Sequence, residues 1–317
     1  MAVIENSKIT VVGAGSVGSS VAYAALIRGA ARTVALYDIN APRAEAEVLD
    51  LAHGTMFTGS SSIIGGADLS AVEGSHVVIV TAGAKQNPGQ TRLELIGTNA
   101  RIFDTMIPQL VEAAPNAVFV IVTNPCDVLT MRAVRRTGLA PERLFASGTV
   151  LDTSRLRWLL AARTGVAARS IHAHIVGEHG DTEFALWSSA TIGPVALQDW
   201  RRPGHEPITR AHMQELTDDV RNAAYRVIEG KGATNYAIGL SAVRIAEAVL
   251  RDENAVLPVS TVLDDFHGIS GVALSVPSIV NASGAFPVRE TPFDAEELEL
   301  LRSSAEALRE VDASLPE

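Results

Sequence analysis

The sequence predicts an α/β protein, with a Rossmann-type parallel-sheet domain followed by a mixed α+β substrate domain. Three observations predict it. Short β-branched runs alternate with helical stretches through the first half. A glycine-rich turn joins the first strand to the first helix. Beyond residue 150 the order changes to long helices and β-rich runs. At 317 residues the chain is long enough for two domains, expected at 1–150 and 151–317.

Lys8–Val12 reads as a strand, residues 17–28 as a helix and Thr33–Tyr37 as a second strand. Residues 76–81 and 117–122 are two more β-branched runs, with continuous apolar stretches at 77–80 and 117–122 that suit strands of a parallel sheet covered on both faces. Each is stopped by a turn signal, Ala82-Gly83 and Asn124-Pro125. Between them, residues 93–113 have a helical pattern with an expected kink near Pro108. Further on, residues 152–164, 207–229 and 235–250 read as helices and residues 170–176 as a strand. Residues 255–263 and 272–280 are β-rich, and 294–308 form a charged closing helix. No period of 20–50 residues repeats, which excludes a solenoid.

Composition narrows the function. Lys and Arg number 26 against 36 Asp and Glu, a net charge of −10, and no basic face marks a nucleic-acid or anionic-membrane partner. The longest apolar runs fall far short of the ~18 residues a membrane span needs. Residues 1–10 lack the apolar core of a secretion signal. The single cysteine, Cys126, cannot form an intrachain disulfide, so a reducing, cytoplasmic location is expected. With one cysteine and scattered histidines, no metal site is expected.

Gly13-Ala14-Gly15-Ser16-Val17-Gly18 is a G-x-G-x-x-G turn at a strand end and helix start, and Asp38 follows Gly18 by twenty residues at the end of the second strand. That spacing suits a dinucleotide: Gly13 for the turn, Gly15 for close approach of a pyrophosphate, Gly18 for helix–strand packing, and Asp38 for the ribose hydroxyls. The helix N-terminus offers free N–H groups to the anion. Asp38 would repel a 2′-phosphate, so NAD is expected rather than NADP; Arg43 is the nearest cation.

Acid–base candidates lie in two segments. His179 sits between glycines in Gly177-Glu178-His179-Gly180-Asp181, just after a strand. Such a histidine is structural as readily as catalytic. In Gly148-Thr149-Val150-Leu151-Asp152-Thr153-Ser154-Arg155, Asp152 opens a helix and could be its N-cap. Arg155, three residues on, shares its helix face. The pair could orient a histidine and grip a substrate carboxylate. Arg157 lies about 200° round the helix from Arg155 and should face elsewhere.

With these segments the chain resembles the NAD-dependent lactate/malate dehydrogenase family, and within it the bacterial L-lactate enzymes, over residues 8–309. The most specific pieces are G-T-V-L-D-T-S-R at 148–155, G-E-H-G-D at 177–181 and K-G-A-T at 231–234. The resemblance implies that His179 exchanges a proton with the substrate oxygen, that Asp152 orients it, and that Arg155 binds the substrate carboxylate. Val122-Thr123-Asn124-Pro125 matches a family turn, with Asn124 on the substrate and the strand end on the cofactor. The same resemblance assigns Val17, Arg43, Gly83, Ala84, Thr105 and Ser147 to cofactor contact, and Thr234 and Ile238 to the nicotinamide and substrate pocket.

Residues 83–92 resemble the family's mobile loop, from which Arg92 would polarise the carbonyl while closure expels water. Gln86 occupies the position where the malate enzymes carry Arg. A neutral Gln86 would leave the second carboxylate of oxaloacetate buried without a partner, which favours pyruvate. Lys85, next door, is the one cation that could blur this choice. Arg157 and His172 match positions that bind fructose 1,6-bisphosphate in allosteric bacterial relatives, and a homotetramer is implied. Cys126 is expected to serve packing, with no base or partner thiol beside it in the sequence. Competing readings are a malate or longer-chain 2-hydroxy acid dehydrogenase, or a silent NAD-binding protein.

Overall fold

The structure, a computed structural model, describes residues 4, 6–84 and 92–315, the side chain of Arg92 excepted. The first half alternates strands and helices: β1 (Lys8–Val12), α1 (Ser16–Arg28), β2 (Thr33–Tyr37), α2 (Ala41–Gly54), β3 (Ser62–Gly66), β4 (Val77–Val80), α3 (Arg92–Ala113), β5 (Val118–Ile121), α4 (Cys126–Thr137) and β6 (Leu144–Ala146). Helix α5 (Val150–Thr164) leads to short strands β7 (Ile171–His172), β8 (Ile175–Val176), β9 (Phe184–Ala185), β10 (Thr191–Ile192) and β11 (Val195–Ala196). Helices α6 (Arg210–Lys231) and α7 (Tyr236–Leu250), strands β12 (Ala255–Val262), β13 (Ala273–Asn281) and β14 (Gly284–Pro287), and helix α8 (Ala295–Ala313) complete it.

The parallel sheet runs in the order β3-β2-β1-β4-β5-β6. Chain order reverses between β1 and β4, and at such a switch point a crevice opens outside the carboxyl ends of the strands. Burial on both faces explains the unbroken apolar runs. Val77, Ile79, Val118 and Val120 pack with α1 and α7, while Val78, Val80, Phe119 and Ile121 pack with α3, α4 and α8. Helix α3 continues through Pro108 as one element.

The sheet does not stop with the first half of the chain. Strand β12 joins β6 antiparallel through Ser260 opposite Ala146, and β13 and β14 follow outward. Helix α7 packs on α1 so closely that a Cβ on Gly239 would stand 3.0 Å from the Ser20 backbone. Asn235 donates to Ser20 Oγ at 2.9 Å, and Arg28 pairs with Glu247 at 2.6 Å across the same seam. A separate apolar cluster joins α5 and α6 to β7, β8 and β10.

The stretch expected as one strand at 170–176 is two. β7 pairs with β10, whereas β8 pairs with β9 in another sheet, and the chain crosses between them at Ala173-His174. Among the described residues no helix is long and apolar enough to cross a membrane.

Candidate active site

A cleft of about 810 Å³ lies at the β1/β4 switch point. Its lining includes Gly13, Gly15, Val17, Gly18, Asp38, Arg43, Gly83, Ala84, Thr105, Val122, Thr123, Asn124, Thr234 and Ile238, every position expected at the cofactor except Ser147. Ser147 is buried beyond the end of β6, where its N–H donates to the Ile121 carbonyl.

The three glycines play separate parts. Gly13 has φ +104°, and a Cβ there would meet the Ala82 backbone at 2.8 Å. A Cβ on Gly18 would lie 1.8 Å from the Gly13 carbonyl oxygen. Beyond its chain neighbours, no atom of the described residues lies within 4 Å of a Cβ on Gly15, so this position borders open space at the N-terminus of α1. That gap, with the free N–H groups beside it, fits a pyrophosphate. Asp38 fixes the turn by accepting from Ala14 N–H at 2.7 Å and from Asn40 N–H at 2.9 Å. Arg43 folds back to donate through Nε to the Ala14 carbonyl at 2.6 Å. Its charge thus stands beside the turn, on the same lip of the cleft as Asp38.

The far wall is tied together by Asn99, which the sequence reading missed. Its Oδ1 accepts from Ala84 N–H at 2.7 Å and its Nδ2 donates to the Asn124 carbonyl at 3.2 Å. Thr123 Oγ1 donates to the Ala82 carbonyl at 2.7 Å. Residues 85–91, including Gln86, lie outside the described residues, as does the side chain of Arg92.

The acid–base group assembles from α5 and the loop after β8. Helix α5 begins at Val150 with Thr149 as N-cap, so Asp152 is the third helical residue and not the cap. Asp152 is 1% exposed and accepts from Arg155 through one oxygen. Its other oxygen is 2.8 Å from His179 Nδ1. The shared helix face of Asp152 and Arg155 is therefore realised.

The His179 loop is held from four sides. Thr149 Oγ1 donates to the Ile175 carbonyl and Thr153 Oγ1 accepts from Ile175 N–H, fastening α5 to β8. Gly177 exchanges backbone hydrogen bonds with Ser275 of β13, and its φ of +92° suits glycine. Ser304 of α8 accepts from Glu178 N–H at 2.7 Å. Asp127 of α4, also missed from sequence, accepts from His179 N–H at 2.8 Å. Because Asp127 follows Asn124 by only three residues, one chain turn connects the cleft wall to the histidine.

Electrostatics follow from this packing. Burial opposes the charge on His179, but the charge and hydrogen bond of Asp152, with the Glu183 and Asp127 carboxylates, together outweigh it, and the imidazole is raised to about 9. Burial likewise opposes ionisation of Asp152; the charge and hydrogen bond of His179, with Arg155, nevertheless hold it below the ordinary carboxylate value. Asp127 is raised to about 6, chiefly by burial. Cys126 is fully buried and its thiol is pushed well above its usual value by burial and by the Asp127 and Asp152 charges, as suits a packing residue.

Arg157 does face away, toward β7. Its Nε donates to the Ala173 carbonyl at 3.0 Å, and a terminal nitrogen lies 3.1 Å from His174 Nε2. The guanidinium thus meets His174 and not His172, because His172 faces solvent while residues 173 and 174 pass beneath α5. Burial, then the Arg157 and His172 charges, lower His174 to about 4, leaving a neutral ring beside Arg157.

Comparison with known proteins decides the family. The lactate/malate dehydrogenase NAD-binding domain profile matches residues 7–146, and the family's alpha/beta C-terminal domain profile matches residues 149–314. The chain belongs to the lactate/malate dehydrogenase family. Its first half is an NAD-binding domain, and this family member is an NAD-dependent oxidoreductase. It is 49% identical to an L-lactate dehydrogenase of Bifidobacterium animalis subsp. lactis over 98% of this chain and 97% of that one. L-lactate dehydrogenase 1 of Clostridium acetobutylicum is 43% identical, covering 96% and 97%. Among solved structures, the minor L-lactate dehydrogenase of Enterococcus mundtii superposes with a TM-score of 0.93 at 36% identity, covering 98% of this chain and 99% of that one. A lactate dehydrogenase from a Medee basin deep-sea metagenome library gives the same TM-score and coverage at 35% identity.

Proposed function

We propose that this family member is an L-lactate dehydrogenase, reversibly reducing pyruvate to (S)-lactate with NADH. The observation that carries this is the Arg155–Asp152–His179 chain, in which one carboxylate holds a guanidinium and an imidazole together. The names of the relatives support the same substrate.

Gly13, Gly15, Gly18 and Asp38, with Val17, Arg43, Thr105 and Ile238 along the cleft, would hold the nicotinamide cofactor, which when bound would supply or accept the hydride. Arg155 receives the substrate carboxylate through a bidentate pair. Asp152 accepts from His179 Nδ1, so the opposite nitrogen, Nε2, carries the transferable proton. Raised to about 9, His179 is protonated at neutral pH and gives that proton to the ketone oxygen during reduction. Oxidation of lactate needs the neutral ring, so that direction improves as pH rises. Asn124 and Thr234 border the substrate end, and Arg92 is assigned the carbonyl polarisation.

Gln86 supports pyruvate over oxaloacetate because a neutral side chain offers no partner to a second carboxylate. The test is kcat/KM with NADH for both substrates at neutral pH. A large preference for pyruvate is expected; a preference for oxaloacetate would overturn the substrate assignment and point to Lys85.

Exposed apolar side chains on adjacent helices, Tyr23 and Ile27 on α1 and Tyr236 and Leu240 on α7, support association with further copies, which the family resemblance implies is a homotetramer. Activation by fructose 1,6-bisphosphate at Arg157 and His172 belongs to the same reading, as does a cytoplasmic location. An unchanged response to the effector in an Arg157→Ala, His172→Ala double variant would refute the effector site.

A further inference from the structure

Glu183 closes the loop that carries His179 and immediately precedes β9. It is 3% exposed. One of its carboxylate oxygens, an oxygen of Asp152 and a ring nitrogen of His179 all lie within 4.8 Å of one another. The backbone beside it is fixed: its carbonyl accepts from Arg221 of α6 at 2.8 Å, and its N–H donates to the Gly180 carbonyl. Among the described residues, no group donates a hydrogen bond to its carboxylate, whereas Asp152 has both Arg155 and His179.

We propose that Glu183 is a positioning residue for the His179 proton: neutral, it leaves the imidazole to Asp152 alone, and ionised, it keeps the ring protonated to higher pH. The proposal deepens the dehydrogenase reading and rests on it. Two carboxylates this close in a dry site are not both cheaply charged. Asp152 has the partners, so its charge is kept and Glu183 takes the proton. Consistent with this, burial and then the Asp152 charge raise Glu183 to about 8, against the opposing pull of His179, Arg155 and Arg221.

Asp152 and Arg155 come from α5, Arg221 from α6, Asp127 from α4 at the His179 backbone, and Glu178 from the loop itself. Glu183 and His179 therefore titrate as a pair. As pH rises, Glu183 ionises and its new charge extends the range over which His179 stays protonated. Pyruvate reduction is thereby carried further into alkali than Asp152 alone would allow. The same side chains could share a cation in principle, but Arg155 already occupies one Asp152 oxygen and the His179 ring the other.

Glu183→Gln keeps the shape of the neutral acid and removes its titration, and Glu183→Asp keeps a titrating group. Reactivity of His179 toward diethyl pyrocarbonate, followed by mass spectrometry of its peptide across pH 5.5–9.5, reads the imidazole without requiring turnover. The expected result is a midpoint lower by on the order of one pH unit in Glu183→Gln. The alkaline limb of pyruvate reduction should move with it, and Glu183→Asp should recover part of the shift. Coincident midpoints in the parent and Glu183→Gln would overturn the proposal. So would a rate lowered equally at every pH with the midpoint unmoved, the mark of a purely structural residue. A shifted midpoint in a protein that does not reduce pyruvate would sustain Glu183's hold on the proton and remove the lactate reading instead.

Discussion

Asp152→Asn removes one charge from the acid–base group while preserving its shape, and its effect can be worked out in advance. In the parent, His179 stands at about 9 against an ordinary 6.5. That elevation corresponds to about 3 kcal/mol in favour of the protonated ring. Without the Asp152 charge, burial remains and returns the ring toward its ordinary 6.5, while Glu183 and Asp127 still favour its charged form. At pH 7.5 the protonated fraction then drops from nearly all to roughly one in ten. The kcat/KM for pyruvate should fall about tenfold or more from protonation alone, with a further loss as Arg155 and the ring lose their common anchor. Followed by NADH absorbance from pH 5.5 to 9, the deficit should shrink toward acid, and lactate oxidation at pH 7.5 should suffer far less than reduction. An equal loss in both directions at every pH would refute the assignment of Asp152 as the group that charges His179.

Gly15→Ala should fold with the parent's melting temperature but bind NADH about tenfold or more weakly in fluorescence titration, since the added methyl enters only the open cleft. Gly18→Ala should instead lose about 2 kcal/mol or more of stability in urea unfolding, because its methyl meets the Gly13 carbonyl. Asp104 of α3 accepts two hydrogen bonds of 2.7 Å from Arg132 of α4, which hold its carboxyl below the ordinary value despite burial. Because its pKa is depressed in the folded state, that stabilisation is present above its unfolded value and is lost as pH falls through the folded one. Asp104→Asn should therefore cost about 1 kcal/mol at pH 7, with the gap to the parent closing as pH drops below about 4.

Much of this arrangement can be read from the chain itself, where periodicity and spacing act locally. The strands at Lys8–Val12 and Thr33–Tyr37 match because their residues are buried on both faces and end at turn residues. Gly13 to Asp38 is a spacing set by one strand–helix–strand unit, and Asp152 to Arg155 one set by a single helix face. The break in residues 170–176 is invisible locally, since partners on β10 and β9 draw two halves of one alternating run into different sheets. Thr149 displaces Asp152 as N-cap because the backbone bend falls three residues earlier than the side-chain preference suggests. Asn99, Asp127 and Glu183 were missed for one reason. Each acts through a partner 15 or more residues away, or through a loop whose folding alone makes the contact.

The seam along β6–β12 and α1–α7 has a consequence for recombination. Ser20, Arg28 and Ala146 meet Asn235, Gly239, Glu247 and Ser260, so each half of the chain completes a surface begun by the other. A chimera that takes its first half from one relative and its second from another inherits two unmatched edges, whatever the quality of either parent. Exchange of single loops around the cleft leaves those edges intact. Changes confined to the rim of the cleft therefore leave the joint between the halves undisturbed.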